Sequence, residues 1–140
     1  MARLIVTEFV TLDGVMEAPG GEPTHPHAGW VGDYHDEGTL EYKLNEALEA
    51  ESHLLGRVTY ESFAGAWPKR EGQFAEKINA MPKYVVSSTL RDPAWNNTHV
   101  LTGGGLRVFP ESGQKKPFEL TGTRTFGSGV VVNAYERAER

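Results

Sequence analysis

The residues best suited to chemistry in this 140-residue chain lie in a few short segments. Gly56-Arg57-Val58-Thr59 stands where a strand-like run, His53-Leu54-Leu55, passes into a helical one. In an open parallel sheet, ligands gather at the carboxyl ends of the strands. A helix that starts there aims free N–H groups and the positive end of its dipole at the ligand. Gly56 lets the backbone come close, Thr59 offers a hydroxyl, and Arg57 brings a forked donor that matches phosphate oxygens. The same residues also suit a plain helix cap beside a solvated arginine. Ser87-Ser88-Thr89 ends the next strand-like run. Its hydroxyls suit a phosphate or a ribose, or simply a polar turn.

The other segments speak less clearly. Asp13, in Leu12-Asp13-Gly14, could meet a ribose hydroxyl or a polar substrate ring, and the local pattern favours a turn. Gly103-Gly104-Gly105 follows a short strand, but Leu106-Arg107-Val108-Phe109-Pro110 is too brief and too soon broken by proline to be the helix of a dinucleotide fingerprint. His25, His27 and His35 lie near Asp33 and Asp36, with a spacing that matches no zinc signature. Trp30, in the same loop, could wall a substrate pocket or pack in the core.

These segments need a scaffold, and the patterning supplies one. Arg3–Val10 reads as a strand, and residues 17–38 as a long loop of the kind that is usually functional. Thr39 is placed to cap a helix whose Leu40, Leu44, Ala47 and Leu48 form one buried face. A strand at 53–56, a second helix that Arg57-Val58-Thr59 leads into, with Thr59 as its cap and Pro68 ending it, a helix at 71–80, a buried strand at 83–89 and a strand at 98–101 follow. Residues 118–125 and 130–135 read as an antiparallel hairpin around Gly127-Ser128-Gly129. Strands alternating with helices predict an α/β fold with a mixed, mainly parallel sheet, helices on its faces and the hairpin at its edge. One domain over residues 1–140 is expected from the length.

Composition excludes several classes. There is no cysteine, hence no disulfide, thiolate metal site or cysteine nucleophile. The net charge of −5 carries no nucleic-acid footprint. No apolar run approaches the ~20 residues that span a membrane. Met1-Ala2-Arg3 runs straight into the first strand without a leader pattern, so a cytoplasmic location is expected. On an acidic chain, an anion site must be local, built from a few cations and backbone amides.

Together the segments resemble one family. Leu12-Asp13-Gly14, then Leu54-Leu55-Gly56-Arg57-Val58-Thr59-Tyr60-Glu61, then Lys83-Tyr84-Val85-Val86-Ser87-Ser88-Thr89-Leu90, then residues 126–135 (FGSGVVVNAY) are similar to the dihydrofolate reductase-like family. That family includes the reductase domain of the bifunctional riboflavin-biosynthesis deaminase/reductase. The resemblance covers about residues 2–101 and 109–136. It implies NADPH-dependent hydride transfer to a small heterocyclic substrate of the ribosylaminopyrimidine or pteridine kind. By resemblance, Gly56, Arg57 and Thr59 meet the cofactor's phosphates. Ser87, Ser88 and Thr89 hold its adenosine end, Asp13 lies by the nicotinamide or substrate, and Trp30 borders the substrate.

The chain departs from the family after Leu101. Members continue with a glycine pair, a helix, a strand and a glycine-rich turn, which needs ~30 residues. Here Gly103-Gly104-Gly105 leads almost at once to Leu106–Phe109. Gly103 and Gly104 are either the cofactor glycines or the later turn with the intervening unit removed, and Leu106–Phe109 favours the latter. Loss of a strand and its helix leaves sheet edges unpaired, so a homodimer is expected. The alternative is a degenerate nucleotide-binding or structural domain without turnover.

Overall fold

A computed structural model describes residues 4–22, 25–102 and 117–138. Gly103 and Gly104 lie outside these residues. The described residues fall into two compact units, one formed by the chain up to Leu40 with Arg124–Val132, the other by Glu41–Thr123 and the residues from Asn133.

The second unit holds the α/β core. Strands β1 (His53–Gly56), β2 (Lys83–Val86) and β3 (Thr98–Leu101) form a parallel sheet in the order β1-β2-β3. The register aligns His53, Lys83 and Thr98 at one end and Gly56, Val86 and Leu101 at the other. Helices α1 (Glu37–Glu49), α2 (Arg57–Ala66) and α3 (Gln73–Ala80) complete the layer, with a 3₁₀ turn at Trp67–Lys69 after α2. The strands alternate strictly. Lys83 and Val85 are buried on one face, where Tyr60, Ile78, Met81, Trp95 and Ala47 pack with them. Tyr84, Val86, Leu54 and Leu101 are exposed on the other face. The run 83–89, expected to be buried throughout, is therefore buried on one side of β2 alone. Period-2 alternation sends successive residues to opposite faces, and among the described residues only one face has helices against it.

In α1 the buried positions are Thr39 and Ala47, while Leu40 and Leu48 are 50% and 39% exposed. The expected leucine stripe thus gives way to the face carrying Ala47. The packing partner, rather than side-chain size, chose it. The residue that caps α1 is Asp36, one step earlier than the helix itself. Its carboxylate accepts the Thr39 N–H at 2.7 Å, and the Thr39 hydroxyl accepts the Asp36 N–H at 2.9 Å. This is a reciprocal capping box in which Thr39 is the inner member, not the cap.

The first unit differs from expectation at its start. Residues 4–10 form no strand, and Leu4, Ile5, Val6 and Val10 are 52–66% exposed. The segment's contacts, such as the edge-on packing of the Phe9 ring against His35 at 5.8 Å, are not those of a β-ladder. Thr11–Val15 closes a turn in which Gly14 takes φ +90° and its N–H bonds the Thr11 carbonyl at 2.9 Å. A 3₁₀ helix at Trp30–Tyr34 breaks the long loop. Strands β4 (Phe118–Thr125) and β5 (Val131–Arg137) form the expected hairpin as a two-stranded sheet of their own. Its turn is closed by Phe126 N–H to Val130 O at 2.9 Å, with Gly129 at φ +85°. The fold is α/β: a parallel sheet with helices and a C-terminal antiparallel hairpin.

Candidate functional site

Parallel pairing in register places the ends of all three strands along one edge. Gly56 ends β1, Ser87 follows β2 and Thr102 follows β3. Two of the sequence-predicted segments, Gly56–Thr59 and Ser87–Thr89, thus share one edge of one sheet, where β3 also ends.

At β1 the strand passes into α2 without a loop. Gly56 is the last strand residue and the helix cap at once, in extended backbone (φ −78°, ψ 162°). No side chain caps α2. Thr59, expected as the cap, is instead the third helical residue, because the helix begins at Arg57. The amides of the first turn therefore have no partner inside the helix, and the dipole's positive end lies beside them. The φ of Gly56 would suit any residue, so a turn does not explain the glycine. A Cβ added there would meet nothing within 4 Å. The corner is open, and Arg57, Val58 and Thr59 are exposed around it.

Arg57 is not idle. Its Nη1 donates to both carboxylate oxygens of Glu61, at 3.0 and 2.8 Å. Both side chains are about half exposed, so the pair is worth a few tenths of a kcal/mol at most. The i,i+4 spacing of Arg57 and Glu61 was visible in the sequence and is the signal that would have found this contact.

Beyond β2, the three hydroxyl residues divide. Ser87 is buried, and its Oγ accepts the N–H groups of Thr89 at 3.2 Å and Leu90 at 2.9 Å. It builds the turn that presents its neighbours. Ser88 and Thr89 are exposed at the strand end, with hydroxyls available to a ligand.

The remaining candidates belong to the first unit. Asp13 is exposed and accepts the Thr11 hydroxyl proton, as a turn-closing aspartate does. Trp30 is half-buried, and its indole N–H donates to the Glu17 carbonyl at 3.0 Å. His25 and His27 lie with ring centroids 5.6 Å apart. Among the described residues no three His, Cys, Asp or Glu side chains gather to hold a metal. Asp36, grouped with the histidines in the sequence, serves structure. Besides Thr39 it accepts the Ser128 N–H at 2.8 Å. Backbone hydrogen bonds from Thr39 and Ser128 hold its pKa down to about 2. Among the described residues no helix is long and apolar enough to cross a membrane.

The edge can bind an anion through unsatisfied amides, one guanidinium and exposed hydroxyls, on a chain whose net charge is negative. These donors fit the phosphates of a dinucleotide, and the open space over Gly56 gives a phosphate room to approach the backbone. No curated protein matches the chain. The profile described as the RibD C-terminal domain matches residues 2–104, which include Asp13, Trp30, the Gly56–Thr59 corner and Ser87–Thr89. On that match the chain belongs to the RibD C-terminal domain family, whose members are reductase-type domains of riboflavin biosynthesis with a dihydrofolate reductase-like fold.

Proposed function

We propose that this protein is an NADPH-dependent reductase that delivers a hydride to a small heterocyclic substrate of the ribosylaminopyrimidine or pteridine kind. One observation carries the reading. The uncapped start of α2, with Arg57 and open space over Gly56, lies at the carboxyl edge of a parallel sheet in a chain of this family. The first-turn amides and Arg57 take the cofactor's phosphates, with the Thr59 hydroxyl beside them. Ser88 and Thr89 hold the adenosine end, and Ser87 fixes the turn that carries them. Asp13 and Trp30 serve the substrate end. Gly103 and Gly104 are assigned to the cofactor by the family pattern alone. When bound, the reduced nicotinamide supplies the hydride, while the protein positions the partners and excludes water.

The test is a titration of NADPH against the protein, read by tryptophan fluorescence. Binding in the micromolar range, weakened by Arg57→Ala, supports the proposal. No quenching at millimolar NADPH, with Arg57→Ala behaving as the parent, overturns the cofactor assignment. Oxidation of bound NADPH by ribosylaminopyrimidines or pteridines then separates a working reductase from a domain that binds without turnover.

A cytoplasmic homodimer belongs to the same proposal. Parallel sheets are normally covered on both faces. Here Leu54, Tyr84, Val86 and Leu101 form an uncharged exposed row, with Tyr84 stacked on His99 at 5.3 Å. A second copy over this face would bury it. Light scattering that gives a monomer at micromolar concentration, unchanged by Leu101→Lys, would remove the dimer.

A further inference from the structure

We infer that Glu61 limits the affinity of the phosphate corner: it competes with incoming phosphate for Arg57 and sets what a ligand must offer to recruit the guanidinium. The inference rests on the corner being a phosphate site. Arg57 is the first residue of α2 and Glu61 lies one turn further on, so the carboxylate stands behind the arginine on the helix. Both Glu61 oxygens engage the same nitrogen, Nη1, which leaves Nη2 and Nε of the guanidinium outside the pair. The side chains are 44% and 50% exposed, so the pair is held weakly and can be exchanged.

Two effects follow from this arrangement. A ligand that recruits Arg57 must give Nη1 more than a single carboxylate does. A phosphate dianion or a diphosphate, with more charge and more acceptor oxygens, meets that condition, and a neutral or singly charged ligand does not. Glu61 also repels every anion that approaches the start of α2, within the range that salt permits. The carboxylate thus weakens the binding of every anion that recruits Arg57, by the cost of giving up the pair and by direct repulsion. Its role is exerted through Arg57, which makes it a positioning residue.

The experiment compares parent, Glu61→Gln, Arg57→Ala and the double variant for NADP+ binding by calorimetry, at low and high salt. Glu61→Gln is expected to tighten NADP+ binding ~3- to 10-fold at low ionic strength, with most of the gain lost in ~0.5 M salt. The gain should shrink when Arg57 is already alanine, since the competition needs the guanidinium and only the salt-screened repulsion is left. NAD+ identifies the group that Arg57 meets. Equal gains for NAD+ and NADP+ assign it to the shared diphosphate, and a gain for NADP+ alone to the 2′-phosphate; both support competition. A Glu61→Gln variant that binds as the parent does, or a gain undiminished by Arg57→Ala, overturns the role of Glu61. If Arg57→Ala itself binds NADP+ like the parent, the phosphate corner fails first, and the two failures are told apart. Melting curves of the Glu61 variants confirm folding, and Glu61→Ala supplies a second variant should glutamine re-form the contact.

Discussion

The two edges of the parallel sheet, built from the same three strands, treat their polar groups in opposite ways. At the amino edge several buried polar side chains bond one another or the backbone, while His53 Nδ1 is buried without a partner among the described residues. Lys83 is fully buried, yet among the described residues its ammonium pairs with no carboxylate. It donates to the backbone carbonyls of Asn79 and Asn96 and stands 4.3 Å from the centre of the Trp95 ring. Trp95 donates to Asn79 Oδ1 at 2.8 Å, and its N–H to the Tyr60 hydroxyl at 3.1 Å. Asn79 in turn donates to Trp67 O, and Asn97 to Ala80 O. At the carboxyl edge the helix start is uncapped, Gly56 faces open space, and Arg57, Ser88 and Thr89 are exposed. Buried polar groups must be satisfied, so the first edge is a stability device. The second leaves donors unspent, which costs little in water and is useful only to a ligand.

Trp95→Ala should break the comparison hardest. Loss of this buried ring is expected to cost about 3–5 kcal/mol in urea unfolding, with NADPH affinity of the folded fraction unchanged. An equal loss of affinity would mean that the two edges are coupled. Lys83→Met keeps the buried stem but leaves the Asn79 and Asn96 carbonyls without their donor, and about 1–3 kcal/mol of stability should go. Arg57→Ala should do the reverse. Its unfolding midpoint should shift by no more than about 0.5 kcal/mol, whereas NADPH binding should weaken by about 1.5–3 kcal/mol, read by fluorescence titration.

A fourth prediction concerns pH at the amino edge. Burial first, then the positive charges of Lys83 and Lys77, push the His53 pKa below its ordinary 6.5. The folded protein resists a proton that the unfolded chain accepts. His53 therefore supports the fold fully above about pH 6.5, and this support drains away as the pH falls toward its lowered folded value. Melting temperatures taken from about pH 7 down to pH 5 should drop more steeply in the parent than in His53→Gln; parallel curves would refute it. The smallest effect belongs to Thr59→Ala. As third residue of α2 rather than its cap, Thr59 should contribute under about 0.5 kcal/mol to stability, and a loss near 1 kcal/mol in thermal melts would restore it as a cap.

Local patterns decided much of this molecule. The strands at 53–56 and 98–101 are where the sequence puts them, because a short apolar run bounded by glycine or turn residues has few other uses. The hairpin around Gly127-Ser128-Gly129 was equally plain, since its turn chemistry is local. The Gly56-Arg57 corner was legible as a strand-to-helix junction, and the family was legible from the order of the motifs.

What needed the tertiary structure were questions of partnership. Residues 4–10 have a strand's composition but are not a strand, and pairing is decided by distant chain. The choice of Ala47 over Leu40 and Leu48 was made by the surface α1 meets. A lysine as a core residue could not be read from Lys83, because its burial depends on carbonyls and a ring brought together from α3 and the loop before β3. The sequence by itself located most of the strands, helices and turns, and the strand-to-helix junction at Gly56-Arg57. Only the tertiary structure determined which edge is closed and which is open, since satisfaction of a polar group depends on neighbours that sequence spacing does not specify.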